Sequence, residues 1–304
     1  MERNTAPVNI SIEKDYDSEF CGSIPLHLVN LIQPHGVLLA LEKETLRVAQ
    51  ASDNVEELFQ IPLDEFLEQP LQKFLPEQQY QDLLSKTRSG NTQDKIPYNL
   101  TFKVGRGDLS LTALVHPGKE YVLMELEENQ PVTEASFIEL YQHIKYVTTL
   151  LKQAVSVQDT AQIAADEMKK LTGFDRVLVY QFDPQWNGIV VAQAKEPDMD
   201  DFMDLRFPAS DVPKQARDLY FRNPYRLIPT REYRPVRLIP IINPLTQRFT
   251  DLSDCNLRSV AGVHLEYLAN LNIMASMSLP IIIDNKLWGL ISCHNKTARN
   301  PSYE

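Results

Sequence analysis

The sequence predicts an α+β protein of two modules, each a mostly antiparallel sheet carrying helices. Three observations support this reading. Residues 21–130 read as strands, then small helices, then a further run of strands separated by glycine and proline turns. Apolar residues at spacings of three and four, from Phe137 to Ala154, then mark one long helix. The chain closes on a hairpin pattern, Met277–Ile283 and Lys286–Cys293 around an Asp284-Asn285 turn. At 304 residues there is length for two ordinary cores. The expected division is an arm over 1–20, a first domain over 21–130 and a second over 131–304.

Residues 1–20 have little to bury and read as an extended arm. Gln33-Pro34-His35-Gly36 is a turn signal before a short strand, Val37 to Leu41, and a second strand is expected over Leu46–Ala49. Short helices are expected over Val55–Phe59 and Leu63–Phe66 and a longer one over Gln78–Thr87. Strands follow over Tyr98–Lys103, Leu109–Val115 and Tyr121–Glu127. Thr133 and Ser136 are candidate caps for the long helix, whose stripe suits either a core contact or a dimer face. After Ser156–Asp159 a second helix turns Ile163, Ala164, Met168 and Leu171 inward and stops at Gly173. Strands over Arg176–Phe182 and Ile189–Ala194 flank an Asp183–Asn187 turn. Pro208 and Pro213 pin a polar turn, because each fixes its own φ and restricts its predecessor. An amphipathic helix, Lys214 to Arg222, follows, and Ser210 or Asp211 is placed to cap it. Five prolines from Pro224 to Pro244 leave Asn223–Asp251 mostly irregular, and so long a loop in a compact domain is usually functional or disordered. Ser259–Leu271 can form a helix.

Composition narrows the function. A hydrophobic content of 43% and a charged content of 23% are those of a soluble globular chain. No apolar run approaches the roughly 20 residues of a membrane helix, and the N-terminus has no apolar signal core. A cytoplasmic protein without a membrane partner is expected, and a net charge of −11 argues against nucleic acid. Cys21, Cys255 and Cys293 offer no metal-site spacing and no disulfide framework. Cys293 reads as an inert core thiol and Cys255 as incidental in a polar loop. Walker, GxSxG, HExxH and CxxC patterns are absent, so no catalytic residue or metal ligand is assigned.

One stretch departs from the acidic background. Asp201 to Val260 holds nine Arg and one Lys against seven Asp and Glu, a local balance of +3. Arginine offers paired N–H donors to carboxylate or phosphate. A local anionic ligand is one reading, and a solvated surface of scattered ion pairs is the other. His264 and His294 can be acid–base groups or ordinary core and surface residues. With Tyr180, Phe207, Tyr220 and Tyr267, the arginines and histidines support a pocket for an anionic, aromatic ligand.

The text resembles the N-terminal PAS–GAF photosensory pair of phytochromes, of the bacteriophytochrome type. Matching pieces run in the family's order across nearly the whole chain. They are Cys21 with Ile24-Pro25 and Gln33-Pro34-His35-Gly36; Asp175-Arg176-Val177 with Tyr180; and Arg206-Phe207-Pro208-Ala209-Ser210-Asp211-Val212-Pro213. Further on come Leu257-Arg258-Ser259; His264-Leu265-Glu266-Tyr267-Leu268; and Leu287-Trp288-Gly289-Leu290 with Cys293-His294.

The resemblance implies a linear tetrapyrrole, a bilin, in the second domain. It assigns Arg226 and Arg258 to the two propionates, helped by Tyr220, Ser276 and Ser278. It sets Asp211 and His264 near the pyrrole nitrogens, with Val212 and Pro213 beside them, and His294 at the D-ring carbonyl among Tyr180, Phe207 and Tyr267. Light then isomerises the C15=C16 bond. Val263 stands where other phytochromes carry an attachment cysteine just before the histidine, whereas Cys21 matches the bacteriophytochrome attachment position. Covalent biliverdin IXα is therefore expected, with non-covalent phycocyanobilin as the alternative. The thiol must reach the pigment, so the family's figure-of-eight knot, the arm threaded through a loop of the second domain, is expected too.

Ala261-Gly262, Asn272 and Asn295 depart from the family's usual residues. The chain ends at Glu304 without the family's third domain or kinase, so the resemblance implies a photosensory fragment of a sensor histidine kinase that would signal to a response regulator. A homodimer is expected. A light-independent module binding another anionic small molecule, and a pigment-free dimerisation scaffold, are the other readings.

Overall fold

The computed structural model describes residues 25–89, 95–105, 107–128 and 134–301. Cys21, the rest of the arm and the candidate cap Thr133 lie outside the described residues. The first module runs β1 (Leu31–Ile32), β2 (Val37–Glu42), β3 (Val48–Ser52), α1 (Val55–Phe59), α2 (Leu63–Phe66) and α3 (Glu77–Ser89). It ends on β4 (Ile96–Val104), β5 (Gly107–Pro117) and β6 (Tyr121–Glu128). Two helices follow, α4 (Glu134–Gln153) and α5 (Val157–Thr172). The second module runs β7 (Arg176–Phe182), β8 (Gly188–Lys195), β9 (Arg206–Phe207), α6 (Lys214–Arg222), β10 (Arg226–Ile228), β11 (Val236–Ile239), α7 (Gly262–Asn270), β12 (Ala275–Ile283) and β13 (Lys286–Asn295).

Two antiparallel sheets result, and one strand crosses between modules. The first sheet has the order β1-β11-β3-β2-β6-β5-β4, and the second β10-β12-β13-β7-β8-β9. β11, far into the second half of the chain, is paired with β3 through Leu238–Ser52 and Ile239–Ala51. The stretch expected to be irregular thus contains β10 and β11, because backbone donors and acceptors await them on β12 of the second sheet and on β3 of the first. Its cover explains the continuous apolar run of β2. Val37, Leu39 and Leu41 enter the first module's core with Phe59, Phe66 and Phe102. Leu38 and Ala40, on the opposite face, pack on Leu238, Leu252, Cys255 and Leu257. Cys255 is therefore a fully buried core residue and not an incidental loop thiol.

The start of the first domain is held by the same excursion. β1 pairs with β11, Leu31 with Arg237. Gln33 N–H donates to Leu257 O at 2.7 Å, Ser259 N–H to Leu31 O at 2.9 Å, and Leu252 N–H to His27 O at 2.9 Å. Residues 27–33 are thus bound both by β11 and by the return limb.

Local chemistry accounts for most elements and for the departures. Leu46 takes φ 49 in the turn after β2, its N–H on Glu42 O, so the next strand starts two residues later than expected. Ser156 Oγ caps α5 by accepting from Asp159 N–H, and Gly173 ends α5 at φ 64, the stop that the sequence predicts. The Asp284-Asn285 turn has φ 50 and 59, the conformation a two-residue hairpin demands. Asn272 takes φ 55, which its short polar side chain tolerates where glycine is usual. Leu171 is not inward: it is half exposed, because the α5 face on the second sheet is set by Ala161 and Ala165. Ser136 lies inside α4, not at its cap. Ser210 and Asp211 form a separate 3-10 turn, and Pro213 occupies the position before α6 with no side-chain cap. On α4, Leu140, Val147 and Leu150 are partly covered, whereas Ile138, Tyr141 and Ile144 are more than half exposed.

Gly36 marks how closely the modules approach. A Cβ there would lie 2.8 Å from the carbonyl oxygen of Leu126 and 2.9 Å from a methyl of Leu257. Gly36→Ala is expected to destabilise the protein by about 1–3 kcal/mol through this overpacking. An unchanged midpoint in urea denaturation would show that the modules are not closed at this point.

Candidate functional site

The pocket is one face of the second sheet read at every second residue. Along β7, Val177 and Val179 pack on α5, while Leu178 and Tyr180 turn the other way. Along β13, Cys293 faces the α5 side, and Leu290, Ser292 and His294 face the pocket. On β12, Ala275 and Met277 belong to the α5 side and Ser276 and Ser278 to the pocket. The register then sets Ser276 opposite His294 and Ser278 opposite Ser292. β9 brings Phe207 beside Gly188, the following turn supplies Asp211 and Val212, α6 supplies Tyr220, and α7 supplies His264, Tyr267 and Leu268. These side chains surround one pocket that opens to solvent.

Its chemistry is polar at separated points on an apolar wall. Tyr180 and Phe207 rings lie 5.8 Å apart, and His264 stacks on Tyr267 with centroids 5.9 Å apart. Burial, and then Arg226, lower the His264 pKa to about 4. Burial, then Arg176 and His264, lower that of His294 to about 3. Burial raises the Asp211 carboxyl and, against a Ser278 hydrogen bond, the Tyr220 phenol. Arg226 is lowered to about 9 by burial and by Arg258. Arg258 is lowered by burial as well.

The sequence-expected residues separate into two groups. Tyr180, Phe207, Asp211, Val212, Tyr220, His264, Tyr267, Ser276, Ser278 and His294 line this one pocket. Pro213, Arg226, Arg258 and Val263 do not line it, and Cys21 lies outside the described residues. Arg226 nevertheless pairs in register with Ser278 on the pocket wall, and both arginines act on Tyr220 electrostatically. Arg226 Nη1 donates to Asn256 O at 3.0 Å and Arg258 Nη1 to Leu26 O at 3.1 Å. Arg226 Nη2 and Arg258 Nε are buried without a partner among the described residues. Val263, in the first turn of α7, is 70% exposed.

Sequence reasoning missed Leu178, Phe202, Leu268, Leu290 and Ser292. Three were within reach: Leu178 is two residues from Tyr180, and Leu290 and Ser292 are four and two from His294, on one strand face. Among the described residues no cluster of His, Cys, Asp or Glu suits a metal ion. No described helix is long and apolar enough to cross a membrane.

Comparison with known proteins defines the class first. Residues 21–129 match the family described as PAS fold and residues 156–303 the GAF domain, so the two modules are a PAS–GAF pair. Cyanobacterial phytochrome B of Nostoc sp. is 38% identical over 97% of this chain and 39% of its own length. The bacteriophytochrome of Pseudomonas aeruginosa is 34% identical over 92% of this chain and 37% of its own. The solved chromophore-binding domain of an unusual bacteriophytochrome from R. palustris matches with TM-score 0.86 and 37% identity, covering 93% of this chain and 92% of that one. That of Stigmatella aurantiaca phytochrome P1 matches with TM-score 0.87 and 35% identity, covering 93% of both. The chain belongs to the phytochrome family, and it spans about two fifths of the length of the curated relatives it matches.

The neutral histidines make stability depend on pH. The unfolded chain takes up their protons near the ordinary 6.5, while the fold resists until about 4 for His264 and about 3 for His294. Their contribution is therefore complete above about pH 6.5 and falls as pH drops, by up to about 1.4 kcal/mol per pH unit for each ring. Glu127, pushed up to about 7 by burial and Glu125, acts in the opposite sense from 4.5 upward. Comparing wild type with His264→Gln removes that common contribution. The Tm of the wild type is expected to fall more steeply between pH 6.5 and 4.5, and equal slopes would contradict a neutral, buried His264.

Proposed function

We propose that the pocket holds a linear tetrapyrrole and that the chain is the pigment-binding, light-sensing part of a phytochrome. The observation that carries this is the pair Arg226 and Arg258. Both guanidiniums are buried, each keeps an unpartnered N–H, and neither has a carboxylate at ion-pair distance among the described residues. Two buried cations without counter-ions are costly unless a ligand supplies the anions. A bilin has two propionates, and Tyr220, Ser276 and Ser278 are the neutral donors beside them. The other part of the pocket is largely aromatic, which suits a lactam ring against Tyr180, Phe207 and Tyr267.

When bound, the pigment supplies the absorption of light and a C15=C16 double bond that isomerises. The chain's part is to hold and orient. His294 donates to the D-ring carbonyl. Asp211, through its backbone carbonyl, and His264, through water, serve the pyrrole nitrogens. Val212 and Pro213 shape the adjoining wall. Val263 leaves no thiol before His264, so biliverdin IXα joined to Cys21 is the favoured pigment and non-covalent phycocyanobilin the alternative. The exposed Ile138, Tyr141 and Ile144 on α4 support a homodimer. The receptor as a whole is read as a cytoplasmic sensor histidine kinase that addresses a response regulator.

Incubation with biliverdin should give a zinc-fluorescent band on a denaturing gel that Cys21→Ala abolishes. A band that survives Cys21→Ala would move the attachment elsewhere. Absence of any visible absorbance with either bilin would instead favour a light-independent module for another anionic ligand. Arg258→Gln removes one charge-assisted contact of about 1.5–3 kcal/mol and should weaken biliverdin binding about 10–100-fold in a titration. Unchanged affinity would take Arg258 out of the propionate site.

A further inference from the structure

Arg176, the first residue of β7, is a buried cation that no expected role explains. It is 1% exposed and has no carboxylate at ion-pair distance among the described residues. Its guanidinium lies 3.7 Å from the centre of the Phe202 ring, and Nη1 donates to Asp200 O at 3.1 Å. Nη2 lies 3.0 Å from His294 Nδ1, across the β7–β13 register in which Arg176 faces His294. Nε is buried without a partner among the described residues. Burying such a charge without a counter-ion costs several kcal/mol, so the arrangement calls for a reason beyond packing.

The contact with His294 supplies one. A guanidinium has donors only and does not deprotonate in proteins. At 3.0 Å the contact is a hydrogen bond only if Nδ1 accepts, so Nδ1 carries no proton. The imidazole proton must then sit on Nε2, 3.0 Å from Ser292 Oγ, and both groups line the pocket. We propose that Arg176 is a positioning residue that fixes His294 as its Nε2–H tautomer, so that the pocket wall presents a neutral donor suited to a carbonyl oxygen. Phe202 and the Asp200 carbonyl hold the guanidinium while it does so. Only the identity of that carbonyl, the D-ring lactam, rests on the bilin reading; the tautomer is a property of the protein alone.

The test uses the pigment-free chain with ¹⁵N-labelled histidine. There are six histidines, and the signals lost in His294→Gln assign the ring. Long-range ¹H–¹⁵N correlation is expected to show His294 neutral, protonated on Nε2 with Nδ1 unprotonated. Arg176→Met should shift it toward the Nδ1–H form or a mixture, and Arg176→Lys, which keeps a donor-only cation, should restore the wild-type pattern. A wild-type ring with its proton on Nδ1, or an Arg176→Met spectrum unchanged at His294, overturns the proposal. Should Arg176→Met fail to fold, the wild-type tautomer alone still decides. Failure to take up biliverdin with the expected tautomer in place would reject the pigment reading and leave the role of Arg176 standing.

Discussion

One buried carboxylate in the PAS domain decides where an arginine of the GAF domain stands. Glu125 of β6 is 2% exposed; Oε1 lies 2.7 Å from His116 Nε2, and Oε2 accepts the Leu257 N–H at 2.5 Å. Burial alone would raise its pKa, but His116 and the Leu257 and Asn256 N–H groups hold it below the ordinary value. The residue after Leu257 is Arg258. Gln33 does the same for the other arginine: its Nε2 donates to Leu227 O at 2.9 Å, next to Arg226, while its own N–H binds Leu257 O. Both guanidiniums are thus placed by backbone contacts reaching from the first domain into the second.

This gives the long excursion a physical purpose. A loop that only decorated the GAF sheet would have to order its backbone at roughly 1–2 kcal/mol per residue with few contacts in return. Here the excursion extends a foreign sheet through β11, covers the second face of β2, and clasps residues 27–33. Arg226 and Arg258 consequently stand at the junction of the domains. Separating the domains would release both arginines together, whereas Tyr180, Phe207 and Tyr267 are all carried by elements of the GAF domain.

The parts legible in the sequence are those settled by near neighbours. The Asp284-Asn285 hairpin and the Gly173 stop each follow from a few adjacent residues. Pocket membership was legible as far as the family motifs ran, and alternation along β7 and β13 would have extended it to Leu178, Leu290 and Ser292. What was not legible depends on partners remote in the chain. β11 is a strand only because residues 51 and 52 await it. Cys255 looked polar from its neighbours and is buried because the excursion folds onto β2. Glu125 and Arg176 fall within expected strands, and nothing local tells that each is enclosed beside a histidine. Ser210 and Asp211 failed as caps because Pro213 already fixes the entry to α6.

The two ends of the pocket are electrically linked. Burial, and then like-charge repulsion from Arg258, lower the proton affinity of Arg226, to about 9. The field of Arg226 also reaches His264, where it reinforces the burial that keeps that ring neutral. A ligand carboxylate on Arg226 would cancel that field and raise the proton affinity around His264. Anions held at the arginines would therefore favour positive charge in the middle of the pocket. A cationic, protonated ring system carrying acidic side chains meets both demands at once, and a small anion that fills only the arginine end meets one of them.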